Sequence, residues 1–406
     1  MEELDQILER FTDPSTGSLH GAVFIAIDRS GKTIYNGSAG KATFDTQNTS
    51  VVNQHSLCWI ASMTKLATAV AVMQLVERGT VSLDDDAREI VPELRDIEVF
   101  IDGHGFVYDR SSPLLQKWSE SRGRTAHTFS GSLEGYSHPL IFQPGSSWAY
   151  GSGIDWSGRL VSNPNLPPPP PPDLASKQKK IEIVTKSTLE EYMQKNIWSK
   201  LGANSTTFCP ELHRDTLPPA LEMGYRLSIG QGEKSIKKGS IILGQPAKDN
   251  LGGIGLFSTP ADYMKLLSAL VGGGFPLLSQ DSIDMLFQPQ LSEASRIAMP
   301  KPLGSQMRRV IGIESPDDYT QADHCLAGTM TLKDIPGRRR AGTVNWSGLP
   351  NLHWWIDRQT GIAAALFTQL MPPGDAAVTG LLIELEKALY GALSRSAGHY
   401  SSGSKL

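Results

Sequence analysis

Apolar residues recur at helical spacing from the start of the chain. Leu4, Ile7, Leu8 and Phe11 share one face, which predicts a helix over residues 3–12. The pattern then turns β-branched and aromatic. His20 to Asp28 reads as a strand, Arg29-Ser30-Gly31-Lys32 as a turn, and Thr33 to Ser38 as a returning strand. Leu57 to Ile60 is an apolar lead-in to a long apolar helix, expected from about Ser62 to Arg78 and stopped by Gly79. Leu83 and the acidic run Asp84-Asp85-Asp86 open the next helical segment, where carboxylates suit N-terminal capping better than a metal.

Residues 100–145 are polar and show little period. Helical patterns return at Ile154 to Val161 and at Ser187 to Leu201. Between them the prolines Pro167 to Pro172 predict an exposed polyproline segment in a surface linker. An SH3-type ligand and an error in the gene model are the alternatives. Thr259-Pro260 caps a helix through Leu270, and another spans Ser282 to Phe287. From Gly342 the pattern is antiparallel sheet: Gly342 to Gly348, Leu352 to Asp357 and Ile362 to Leu370, followed by a last helix from Ala376 to Leu393.

Sheet-forming segments thus sit at both ends of the chain. They predict an α/β (α+β) fold with an antiparallel sheet flanked by N- and C-terminal helices, built from residues 1–98 and 300–393. A mainly helical inserted domain is expected over 99–299, with a disordered Pro-rich linker at 163–180, and 394–406 is expected to be a flexible tail. A cleft should lie between the two parts.

Composition narrows the function classes. With 39% hydrophobic and 20% charged residues the chain reads as a soluble globular protein, and a net charge of −4 gives no reason to expect nucleic acid or an anionic membrane as partner. No apolar stretch approaches transmembrane length. Arg338-Arg339-Arg340 reads as a solvated turn. Cys58, Cys209 and Cys325 are too widely spaced for a disulfide framework or a zinc site, which points to a reducing compartment, and neither a metal nor a cofactor is expected. The acidic, amphipathic N-terminus is unlike a signal peptide. The chain ends Ser404-Lys405-Leu406, the tripeptide read by the peroxisomal import receptor. The expected location is therefore the peroxisome, otherwise the cytoplasm.

The candidate chemistry begins at Ser62-Met63-Thr64-Lys65. Residues i and i+3 share a helix face, so Ser62 and Lys65 can meet above the first turn. A serine hydroxyl becomes a nucleophile when a neighbouring base takes its proton, and a lysine held beside it can be that base. The first turn also presents free N–H groups to developing negative charge. Alone, the motif is common and more often marks an ordinary Ser and Lys on an amphipathic helix. The glycines of Gly252-Gly253-Ile254-Gly255 follow no phosphate-loop pattern. There is no Gly-x-Ser-x-Gly elbow, the nine histidines lack ligand spacing, and His353 reads as structural.

Three motifs in order, Ser62-x-x-Lys65, Tyr150-Gly151-Ser152 and Trp346-Ser347-Gly348, resemble the serine β-lactamase and penicillin-binding protein superfamily. Leu75-Val76-Glu77-Arg78-Gly79, Trp148-x-Tyr150, Asp155-Trp156-x-Gly158 and Pro350-Asn351-Leu352 extend the likeness to its class C branch and to fungal transesterases of the lovastatin acyltransferase type. The resemblance implies that Ser62 is the acylated nucleophile. It also implies that Lys65 hydrogen-bonds Ser62, and that Tyr150 works with Lys65 as general acid and base. The N–H groups of Ser62 and Leu349 would form the oxyanion hole, and Trp346, Ser347, Gly348, Ser152 and Trp148 would bind substrate. Trp346 stands where the family carries a cation, which argues for neutral acyl groups. The implied reaction moves an acyl group from a thioester (acyl-CoA or carrier protein) or an ester to an alcohol acceptor, in fungal secondary metabolism. A hydrolase using the same acyl-enzyme and a catalytically silent binding member are the alternatives.

Overall fold

A computed structural model describes residues 1–104, 107–162, 187–227 and 236–402. The proline run and Ser404-Lys405-Leu406 lie outside the described residues.

The centre is an antiparallel sheet of seven strands: β1 (Gly21–Asp28), β2 (Thr33–Gly40), β3 (Ala322–His324), β4 (Thr329–Thr331), β5 (Val344–Gly348), β6 (Leu352–Asp357) and β7 (Ile362–Phe367), in the order β2-β1-β7-β6-β5-β4-β3. The β1–β7 pairing, with Ile25 opposite Ala365, joins the N-terminal hairpin to the C-terminal strands. Side chains alternate between faces along a strand. On β1, Val23, Ile25 and Ile27 enter one core cluster while Ala22, Phe24 and Ala26 enter another. Both faces of the sheet are therefore buried, which is why these strands read as nearly continuous apolar runs.

Each face is covered by helices. Helices α1 (Glu2–Thr12) and α5 (Ala376–Ser402) share the core cluster on one face. On the other face lie α2 (Thr64–Glu77) and α4 (Pro260–Val271). Helix α3 (Gly153–Val161) packs beside α2. Helix α4 falls inside the span 99–299 by sequence, yet it packs on β1, β6 and β7. Its buried Tyr263, Leu266, Leu267 and Leu270 make it a layer of the sheet core rather than part of a separate insertion.

Two further expectations are corrected. Helix α5 continues to Ser402, through residues 394–402 of the expected tail. Arg338 and Arg339 are buried rather than solvated. Both donate to Glu386 on α5, Arg338 Nη2 at 2.7 Å and Arg339 Nε at 2.7 Å, and the Arg339 guanidinium lies 4.9 Å from the centroid of the Trp355 ring. Burial pushes the Glu386 carboxyl up, and the Arg339 and Arg338 guanidiniums more than offset it, leaving it below its ordinary value.

Candidate active site

Ser62 is held in a 3-10 turn, Ala61–Met63, immediately before α2. Ala61 has φ 45°, a left-handed value that costs energy for any residue with a Cβ. The surroundings hold it there. Ile60 N–H donates to Leu256 O at 3.1 Å, and Thr64 Oγ1 donates to Ala61 O at 2.6 Å while accepting from Leu256 N–H at 3.1 Å. Strand β5 ends against this turn. A Cβ on Gly348 would lie 2.5 Å from Ile60 O, so only glycine permits the strand to approach this turn so closely.

Tyr150 donates a hydrogen bond of 2.6 Å to Ser62 Oγ. Lys65 Nζ lies 4.9 Å from the Tyr150 ring centroid. The expected Lys65–Ser62 hydrogen bond is absent among the described residues. Lys65 donates instead to Tyr108 Oη at 2.8 Å and to Gly253 O at 2.9 Å. The physical reason lies behind those acceptors. Tyr108 donates on to Asp155 Oδ2 at 3.1 Å, so the lysine is drawn towards a fully buried carboxylate. Burial pushes the Asp155 carboxyl above its ordinary value, while Lys65 and the N–H of Gly253 pull it back. Burial also pushes the Tyr108 phenol well up, and the Asp155 charge adds to this.

The aromatic side chains form one connected wall. Tyr150 packs 5.3 Å from Trp346 and 5.3 Å from Tyr108 between ring centroids, and His324 meets Trp346 edge-on at 5.5 Å. Tyr150, Trp346 and His324 border a cavity of about 320 Å³ that is also lined by Lys65, Trp148 and Leu326, among others. The size and apolar lining suit a small acyl chain. Burial pushes the His324 imidazole down, and its Nδ1 faces Cys325 O at 2.8 Å. A larger groove of about 700 Å³ involves His20 and Phe44 but none of Ser62, Lys65 or Tyr150.

Of the residues expected to bind substrate, Trp148 and Trp346 line the cavity, while Ser347 and Gly348 continue β5 beside it. Ser152 does not reach it. It is fully buried at the start of α3, where its carbonyl accepts from Asp155 N–H at 2.9 Å. Sequence reasoning missed Tyr108 and His324. Tyr108 lies in the stretch without period. His324 ends β3, a strand too short to leave an alternating pattern.

The pattern of the beta-lactamase family matches residues 4–106 and 178–387. Lovastatin esterase of Penicillium rubens is 31% identical over 89% of this chain and 91% of its own length. Monacolin J acid methylbutanoyltransferase of Aspergillus terreus is 28% identical over 91% of each. Among solved structures, a mutant of simvastatin synthase from Aspergillus terreus superposes with a TM-score of 0.78 at 26% identity, covering 97% of this chain and 95% of that one.

Proposed function

This chain belongs to the beta-lactamase family, and on that premise we propose that it is a serine acyltransferase moving an acyl group from an ester or thioester to an alcohol in fungal secondary metabolism. The observation that carries the reading is the 2.6 Å contact between Tyr150 Oη and Ser62 Oγ, with the Lys65 ammonium beside the phenol ring. In the reacting state Tyr150 is the phenolate, its charge stabilised by the Lys65 ammonium, and it accepts the Ser62 proton as Ser62 Oγ attacks the acyl carbonyl carbon. The negative charge thereby passes from the phenol oxygen to the tetrahedral oxyanion. The tetrahedral oxyanion is held by the N–H groups of Ser62 and Leu349, an arrangement in which one donor is typically worth about 2.7–4 kcal/mol of barrier. Collapse expels a thiolate or alkoxide, which takes the proton from Tyr150. The acceptor alcohol then repeats the sequence in reverse: Tyr150 takes its proton, its oxygen attacks the ester, and Ser62 leaves reprotonated.

The cavity supports a neutral acyl group. Its lining includes Trp148, Leu326 and Trp346, and Trp346 stands where a cation would hold a carboxylate. Hydrolysis is the second reading, favoured by the likeness to lovastatin esterase. The two differ only in whether water or an alcohol attacks the acyl-enzyme. Incubation with an activated butyrate ester and a panel of alcohols, followed by chromatography, separates them. New ester in excess of free acid supports transfer, and free acid alone with every alcohol supports hydrolysis.

A further inference from the structure

The contacts of Lys65 lead away from Ser62 into the interior and converge on one side chain. Asp155 lies in the first turn of α3 and is fully buried. Its Oδ1 accepts from Gly253 N–H at 2.7 Å, and its Oδ2 accepts from the Tyr108 hydroxyl at 3.1 Å. Tyr108 and Gly253 are also the two acceptors that Lys65 uses. A single carboxylate thus fixes both. The fit is tight, since a Cβ on Gly253 would meet Asp155 Oδ2 at 2.3 Å. Among the described residues no hydrogen bond links Asp155 to Ser62 or Tyr150, so it acts on the site only through others.

We propose that Asp155 is a positioning residue which, through Tyr108 and Gly253, holds the Lys65 ammonium against Tyr150 and so sets the rate of Ser62 acylation; this rests on Ser62 being the nucleophile. A lysine is a point charge on a flexible stem, and an unanchored one samples many rotamers. Two acceptors held by the same carboxylate reduce that freedom. An ammonium has three donors. With one on Tyr108 and one on Gly253, the third remains for the Ser62–Tyr150 side. The pairing also balances charge, because a carboxylate buried without an opposite charge is strongly destabilising. The other titratable groups around this cluster are Tyr136, beside Tyr108 at 5.9 Å between centroids, and His324 across the cavity. Neither lies between Asp155 and Lys65 in the chain of bonds.

The test is the single-turnover release of p-nitrophenol, with enzyme in excess over p-nitrophenyl butyrate, run on the full chain and on Asp155→Asn, Tyr108→Phe, the double variant and Ser62→Ala. The single-turnover rate constant reports acylation whatever the rate of deacylation, and urea melts followed by circular dichroism count correctly folded protein. Asp155→Asn and Tyr108→Phe are each expected to remain folded and to keep their apparent affinity for the ester, while the rate constant falls by up to about 100-fold, the scale of a misplaced catalytic group. The double variant should lose less than the product of the two single losses, because both act along one path. A parental rate constant in both single variants overturns the proposal. So does a loss of folded protein with an unchanged rate constant per folded molecule, which is the signature of a merely structural carboxylate. A parental rate constant in Ser62→Ala contradicts the nucleophile reading itself, and the positioning role falls with it.

Discussion

Tyr150 Oη stands 2.6 Å from Ser62 Oγ, while Lys65 is bonded to Tyr108 and Gly253. The Ser62 hydroxyl is therefore in direct hydrogen-bonded contact with the phenol, and in the proposed reaction Lys65 contributes charge rather than the first contact. Tyr150→Phe removes the acceptor oxygen and keeps the ring that packs on Trp346 and Tyr108. Acylation should slow by about 10²–10⁴-fold, the range of a lost general base. Stopped-flow release of p-nitrophenol measures this, and a loss smaller than tenfold would place the base elsewhere.

Trp346 supplies an apolar wall to the cavity. Trp346→Ala should weaken neutral acyl esters, and because it removes binding felt equally before and during reaction, it should raise KM more than it lowers kcat. The change should grow with acyl chain length, since each buried methylene contributes about 0.8 kcal/mol. A length series from acetate to hexanoate reads it out. An identical ratio of variant to parent kcat/KM along the series would remove Trp346 from acyl recognition.

Neither residue of the buried pair Arg339–Glu386 lines the cavity beside Tyr150 and Trp346. Arg339→Ala leaves a carboxylate buried with a weakened charge balance, and breaking such a pair costs about 3–5 kcal/mol. The urea midpoint should fall accordingly, while activity per folded molecule stays at the parental level. An unchanged midpoint would mean that Arg338 alone compensates Glu386.

Two histidines, the buried His353 and the partly buried His20, set a pH dependence. Burial pushes the His353 imidazole down to about 3 and His20 to about 4, the former helped by the Arg339 guanidinium. Both take up protons more readily unfolded than folded. Their contribution is complete above the ordinary histidine value and is lost as pH falls below it towards the folded values. Unfolding free energy should therefore fall between about pH 6.5 and pH 4. His353→Gln should flatten that slope by close to one proton, as read from urea melts at several pH values. An equal slope in parent and variant would contradict the burial assigned to His353.

The sequence carried the parts of this molecule whose signals are local. The continuous apolar run of Ala22 to Ile27, the capping Thr259-Pro260 and the spacing of Ser62 and Lys65 all arise within a few residues. What escaped it depends on partners remote in the chain. Arg338 and Arg339 read as a solvated turn because their counter-charge, Glu386, lies 47 residues beyond Arg339. Tyr108 was invisible because residues 100–145 have no period to place it, and only the fold sets it between Lys65 and Asp155. Ser152 was assigned by its place in a motif, and the entry into α3 turns it inward. The resemblance likewise led to a Ser62–Lys65 bond, which the pull of Asp155 redirects to Tyr108 and Gly253.

The proposed reaction requires Ser62 to carry the acyl group. Intact-protein mass spectrometry after brief exposure to p-nitrophenyl butyrate and acid quench tests it most directly. A single added butyryl group is expected, mapped by peptide analysis to Ser62 and absent from Ser62→Ala. An adduct of equal size in Ser62→Ala, or turnover of the ester by that variant at the parental rate, would contradict it.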